Sequence, residues 1–239
     1  MKGTIGDVIF YESIDGFLAR TKGGIEASRI YNDPAFARTR ENYTEFRNAV
    51  QAAKVLRDCI CTLSTKSIDN RLTSRLNKLM WQIKDTDVSS IRGSRMVAAG
   101  IATDEGKQLM KGFDFNNRAP LGSVLHTLYE LDRSAGALVI PLLRTMNDIS
   151  IPPGATGIVC KLGYAVVDFS TGQSALSTSS VRLPIVKEPV EVKLLPGGIP
   201  AIPGTPIIIL CIEFMQEVNG ADYLLNNGAN NVMTILEVL

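Results

Sequence analysis

A chain of 239 residues with 45% hydrophobic content is long enough for one large domain or two ordinary ones, and it can bury a sizeable core. Its 25 Lys and Arg against 24 Asp and Glu leave a net charge of +1, so no overall field draws it to nucleic acid or to an anionic membrane. Four cysteines make no disulfide framework at this length, one histidine restricts base-assisted nucleophilic chemistry, and no apolar run approaches the roughly 20 residues that span a bilayer.

Charge is unevenly placed. Residues 1–118 hold 19 of the 25 basic residues against 14 acids, about +5, and residues 119–239 hold 6 against 10, about −4. The hydrophobic period changes at the same point. The opening Met1-Lys2-Gly3-Thr4-Ile5-Gly6-Asp7 puts an acid where a secretory segment would be apolar, so cytoplasmic synthesis without a signal peptide is expected.

Residues 4–21 read as a β-hairpin. Ile5 to Tyr11 is β-branched and aromatic, Asp15-Gly16 supplies a turn, and Phe17 to Arg20 returns. Lys22-Gly23-Gly24 then breaks the pattern. A lone hairpin is marginal in water, so this one must dock on the rest of the chain or on another subunit. Asp33-Pro34 is an N-cap with Pro at the first helical position, and a short helix is expected to about Arg40. Asn42-x-x-Glu45 resembles a capping box opening a second helix, whose stripe is Phe46, Ala49, Ala53, Leu56, Ile60 and Leu63. After a short break at residues 64–66, Ser67 or Asp69 caps a third helix striped by Ile68, Leu72, Leu76, Leu79 and Ile83, with Trp81 to one side. The two long helices should pack as an antiparallel hairpin. Residues 88–100 match no period, Thr103 starts a helix to about Lys111, and residues 112–117 form an aromatic loop.

From Leu121 the period is two. Strands are expected at 121–131, 136–143, 157–169, 174–185, 188–195, 206–218, 221–225 and 231–238. Asn219-Gly220 and Asn227-Gly228 suit type I′ hairpins, and Thr171-Gly172 is a weaker case. Ile158, Cys160, Leu162, Tyr164 and Val166 alternate onto one face, and Pro206 to Ile212 is apolar on both, as in a central strand. The fold class expected is α+β. An N-terminal β-hairpin and helical domain covers 1–118, and an antiparallel β-sandwich covers 119–239, with immunoglobulin-like and jelly-roll orders both open. In the loop 196–206, Pro200, Pro203 and Pro206 recur every third residue, as on one face of a polyproline II helix. It is a rigid crossover or a partner-binding arm.

No catalytic constellation emerges. His126 lies in an apparent strand with no G-x-S-x-G elbow, which favours a structural histidine. Gly100 to Gln108 has the outline of a phosphate loop. Its spacing is one residue too long, Gln108 replaces the metal-binding hydroxyl, and two acids would repel phosphate. Asp148, Asp168, Glu213 and Glu217 fall on the strand-rich half, with nothing in their spacing to pair them. Cys59 and Cys61 would point about 200° apart on a helix and cannot share a metal, and Cys160 and Cys211 read as buried apolar residues. No cofactor or metal is expected. Arg38, Arg40, Arg47, Lys54, Arg71 and Arg75 form a basic helical surface. Interleaved Glu41, Glu45, Asp58 and Asp69 make it a poor grip on nucleic acid, and favour a solvated helix face or a surface for an acidic protein partner.

Lys2-Gly3-Thr4-Ile5-Gly6, Phe10-Tyr11, Arg20-x-Lys22-Gly23-Gly24 and Asp33-Pro34-x-Phe36-x-Arg38-Thr39-Arg40-Glu41-Asn42-x-x-Glu45-Phe46 together resemble the opening of an uncharacterised bacterial protein family. The likeness covers residues 1 to about 118, and Arg47 stands where the family carries Gly. No activity is established for that family, so it implies no catalytic residues. Its motif residues are turn, cap and packing types, which implies an architectural role. The function expected is a non-enzymatic structural protein that self-associates into an oligomer, filament or particle-like assembly. The alternatives are an adaptor that binds protein or glycan through the sandwich, and a weak nucleic-acid binder through the basic helices. The candidate interaction surface is the six basic residues above with Pro200, Pro203 and Pro206.

Overall fold

The structure is a computed structural model that describes residues 2–21, 23–63, 67 and 69–239. Lys22 of the expected break Lys22-Gly23-Gly24, the break at residues 64–66 and the stripe position Ile68 lie outside the described residues. Helix and strand are mixed, and the chain divides into two compact units, Met1–Tyr43 and Thr44–Leu239.

The first unit holds a three-stranded antiparallel sheet, β1 (Gly3–Ile5), β2 (Val8–Ser13) and β3 (Gly16–Thr21). The expected hairpin is therefore a meander. Gly6, with a φ of 57°, turns the chain after Ile5, and Ile5 pairs with Val8. The second turn is Ile14-Asp15, because Gly16 already pairs with Ser13. Next come α1 (Ala27–Asn32) and a single 3-10 turn, Pro34–Phe36. The Asp33 carboxylate accepts from Ala35 N at 2.9 Å, so the Asp-Pro cap forms as expected. The boundary between units falls within α2 (Ala37–Ile60). Asn42 starts nothing, because α2 already runs through it, and Glu45 is buried instead of capping.

In the second unit α2 and α3 (Leu72–Asp85) run antiparallel: Arg57 bonds Thr73 at 2.7 Å, and Phe46 meets Trp81 at 6.1 Å between ring centres. The stripe residues Ala49, Ala53, Leu56, Ile60, Leu63, Leu72, Leu76, Leu79 and Ile83 are all buried, whereas Phe46 is half exposed. The patternless stretch ends in α4 (Val97–Ile101), and α5 (Asp104–Met110) is capped by the Thr103 hydroxyl, which accepts from Gly106 N at 3.0 Å. No helix among the described residues is long and apolar enough to cross a membrane.

The expected strand at 121–131 is mostly absent. Pro120 leads into a short helix, α6 (Leu121–Val124), Leu125 makes an isolated bridge to Ile149, and a strand forms only at β4 (Glu130–Asp132). Leu121, Val124 and Leu125 are spaced for a helix, and all three pack into one core. The strands that follow are β5 (Ala137–Leu143), β6 (Gly157–Val167), β7 (Ser174–Leu183), β8 (Val190–Leu194), β9 (Thr205–Val218), β10 (Ala221–Leu224) and β11 (Val232–Val238), with α7 (Thr145–Asp148) after β5. One antiparallel sheet has the order β10-β9-β6-β7, with β11 also on β9, and a second has the order β4-β5-β8. β9 is central, as its sequence implies. Ile207, Ile209 and Cys211 join a core with α2, α3, α4 and α5, while Ile208, Leu210, Ile212 and Phe214 join a core with β5 and β8. Asn219-Gly220 makes the expected two-residue hairpin with φ of 53° and 78°. Asn227-Gly228 does not, since Asn226, Asn227 and Gly228 are all left-handed inside a longer turn. Thr171-Gly172 belongs to a six-residue loop built on the Asp168 carboxylate, which accepts from Ser170 N and Thr171 N.

The helical layer is packed so closely that two positions admit only glycine. A Cβ at Gly100 would lie 2.0 Å from Ile83 O, and one at Gly106 would lie 2.1 Å from Gly100 O. Both neighbours are backbone, so neither can swing aside. Gly100→Ala should cost about 1–3 kcal/mol of unfolding free energy, read as a lower urea midpoint with an unchanged slope.

Candidate functional site

Strand parity sorts the side chains of the first unit. The registers place Ile5, Val8, Phe10, Phe17 and Ala19 on one face of the meander and Tyr11 with Leu18 and Arg20 on the other, where Arg20 sits 5.7 Å from the Tyr11 ring. Phe17 is 69% exposed and Ile5 63%, and no described residue of this unit is buried. Lys2 pairs with Glu12 at 2.9 Å across the exposed surface. In the same unit Arg40 donates to Ile30 O at 2.8 Å and Asp33 O at 3.0 Å, closing the corner between α1 and α2. A hollow of about 240 Å³ lies there, lined by Ile30, Tyr31, Arg40 and Tyr43.

In the second unit two buried carboxylates brace the segment 87–96. Glu45 Oε2 receives Lys84 Nζ at 2.7 Å, and Glu45 Oε1 receives Gly93 N at 2.6 Å. Lys84 also reaches Asp85 at 2.7 Å and stands 3.7 Å over the Trp81 ring. Asp87 accepts from Ser89 N, Ser89 Oγ, Ser90 N and Met96 N. Burial alone would raise both carboxyls. Hydrogen bonds outweigh it, from Lys84 and Gly93 to Glu45 and from Ser89, Ser90 and Met96 to Asp87, and both stay below the usual carboxylate range. The loop so fixed exposes Val88 at 91% and Ile91 at 79%. Sequence reasoning missed this device. The signal was there in Asp87-Val88-Ser89-Ser90, the chemistry of a side-chain-anchored turn. Beside it, Phe46, Ser74, Asn77, Lys78 and Trp81 line a surface hollow of about 470 Å³.

The nine interaction candidates stand in different local settings. Arg38 is exposed and pairs with Glu41 at 2.8 Å, and Lys54 pairs with Asp58 at 3.4 Å. Arg47 is exposed and has no ion pair among the described residues. Arg71 is exposed ahead of α3, and its backbone N–H donates to Asp69. Arg40 is held as above, and Arg75 is also an internal tie. It bonds Asp69 at 2.5 Å, Asp114 O at 2.8 Å and Phe115 O at 3.0 Å, and lies 5.1 Å from the Phe113 ring. Pro206 is inside β9, opposite Val166, while Pro200 and Pro203 lie in the loop before it, where Ile199 is half exposed and Ile202 packs into the core.

His126 leaves the expected strand for a loop, where Nε2 meets Ser150 Oγ at 2.7 Å on an exposed surface. The neighbouring Asp148 carboxylate is engaged by Arg144 N at 2.8 Å and Arg144 Nε at 3.5 Å. Cys160 and Cys211 are buried, and burial, with Cys211 nearby, pushes the Cys160 thiol up to about 12. Cys59 is buried and Cys61 exposed. Among the described residues no group of three or more His, Cys, Asp or Glu could hold a metal ion.

Compared with protein families, with curated proteins and with solved structures, the chain matches none.

Because the folded state holds the Glu45 and Asp87 carboxyls low, their stabilisation is present at neutral pH and lost as pH falls through and below the carboxylate range. The urea midpoint should stay level from about pH 7 to pH 5 and drop below about pH 4. Glu45→Ala leaves the buried Lys84 ammonium with Asp85 alone and Gly93 N without its acceptor, and should cost about 1–3 kcal/mol at neutral pH, measured by urea unfolding.

Proposed function

We propose that this chain is a non-enzymatic structural protein whose copies associate into an oligomer, filament or particle-like assembly. One observation carries the reading. The Met1–Tyr43 unit forms a regular sheet with five apolar side chains on one face, yet none of its described residues is buried. Three strands need a covered hydrophobic face to persist in water, and exposed apolar patches on otherwise polar proteins are the usual marks of association. The imbalance of about +5 in residues 1–118 and −4 in residues 119–239 supports contacts between unlike halves of neighbouring copies, a heterologous geometry that can stay open.

Two further features support an architectural role. In this reading the chain belongs with the bacterial family it resembles, and the shared motif residues do structural work: Gly6 turns, Asp33 and Pro34 cap, and Arg40 ties carbonyls. We also read the β4-β5-β8 sheet and the larger sheet, which share a core, as the two leaves of a β-sandwich.

The test is light scattering with negative-stain imaging over a wide concentration range. Multimers or particles are expected. A paired substitution of Ile5→Ser and Phe17→Ser should shrink them while leaving the main melting transition in place. A monomer at every concentration would sink the reading.

A further inference from the structure

Among the described residues, every sheet edge in the Thr44–Leu239 unit but one is short or covered. β4 has three residues, β10 four and β8 five. The outer side of β11 is overlaid by residues 112–115: Gly112 N donates to Ile235 O at 2.8 Å, Phe115 N to Met233 O at 2.8 Å, and Ile235 N to Phe113 O at 3.1 Å. β7 is the exception. It has ten residues, pairs with β6 in unbroken register from Leu183 to Ser174, and pairs with no other strand among the described residues.

Natural edges are blunted by proline, bulges, lysines or inward charges. β7, with the sequence Ser-Ala-Leu-Ser-Thr-Ser-Ser-Val-Arg-Leu, has none of these. Its one charge is turned back over its own sheet. The Arg182 guanidinium bonds Asp222 at 2.6 and 2.9 Å and Glu217 at 3.3 Å, lying across Gly157, where a Cβ would meet it at 3.2 Å. One carbonyl of the strand, Ala175 O, receives the Cys59 thiol at 3.7 Å. What remains is a row of outward backbone donors and acceptors between side chains that are neutral apart from Arg182 and small from Ser177 to Ser180, and the complement of such a row is another open strand.

We propose that β7 is the edge at which two copies of this chain join, antiparallel β7 to β7, fusing their two five-stranded sheets into one of ten strands. The proposal rests on the self-association reading and names a surface for it. The second copy fits as occupant on three counts. It offers a strand of equal length. It brings no unmatched charge, since Arg182 is already held by two carboxylates. And pairing nine residues with nine gives on the order of ten hydrogen bonds, about the number a standard protein interface carries. A twofold axis normal to the sheet keeps the helix-bearing faces of both copies on one side, so it must pass through a single residue, Thr178 or Ser179. Around that point Ser177, Thr178, Ser179 and Ser180 present only hydroxyls, which can bond across the strands. This contact is isologous and closes at two copies, so an extended assembly would add a second, heterologous contact.

Cross-linking of the full chain tests it, in a Cys61→Ser background. At the axis a residue faces its own copy with Cα atoms about 4.5–5.5 Å apart, inside the disulfide range of about 4.4–6.8 Å. Thr178→Cys or Ser179→Cys should give a covalent dimer in high yield on mild oxidation, and Ser174→Cys should give at least tenfold less. Thr178→Lys with Ser180→Lys, both at exposed positions, should halve the mass of the smallest multimer at an unchanged melting temperature. If the parent associates but neither cysteine cross-links, or the double-lysine chain keeps the parent mass, the β7 join is wrong and self-association stands. A parent that is monomeric throughout overturns both. Should the lysines lower the melting temperature, the cross-link yields decide.

Discussion

A strand that is apolar on both faces cannot lie on a surface, and β9 is such a strand. From Ile207 to Phe214 each residue is buried, with even positions turned to one core and Ile207, Ile209 and Cys211 to the other. Six of these are Ile, Leu or Phe, each worth about 1.5–3 kcal/mol when buried, a sum comparable with the whole ~5–15 kcal/mol net stability of a domain. Neither cover is therefore dispensable. The helices must lie on one side and the β4-β5-β8 sheet on the other. The one acid in the run, Glu213, is tolerated because Lys161 of β6 meets it at 2.7 Å.

The helical cover is stiffened by polar contacts that are costly to half-make. The Glu45 and Lys84 side chains are 3% and 1% exposed, so their charges need bonded partners, which they find in each other, in Asp85 for Lys84 and in Gly93 N for Glu45. Arg75 does the same work at the other end of α3, tying Asp69 to the carbonyls of the 113–115 aromatic loop. Cationic residues that look like a surface in the sequence thus divide into exposed ones and internal ties. Burial and geometry make that division, and sequence spacing cannot.

Much of the fold is legible where one local force acts alone. The helix stripes, the Asp33-Pro34 and Thr103 caps, the Asn219-Gly220 turn and the strands from β5 to β11 follow from period and turn chemistry, with ends within two or three residues. Misreadings occur where two signals compete. Gly6 splits an apparently continuous β run because its positive φ outweighs the β propensity around it. Leu121 to Leu125 fits periods of two and of three to four, and contact with the core decides for a helix. Asn42 has cap chemistry, but α2 starts five residues earlier and removes the need for a cap. Of the interaction surface, the basic residue types are readable. The open edge of β7 is not, because an edge is defined by which strand fails to arrive beside it.

The same sheet order carries a cost in time. Tyr164 pairs with Ile208, and β11, made well over a hundred residues after α3, supplies Met233 and Ile235 to the core of α2 and α3. At about 5–20 residues per second on the ribosome, the apolar stripes of those helices wait roughly ten seconds or more for the strands that shield them. Loop closure over such separations is also slow in itself. The nascent chain thus spends that interval with part of its apolar helical surface uncovered, and a chain cut before β11 lacks Met233 and Ile235 from that cover.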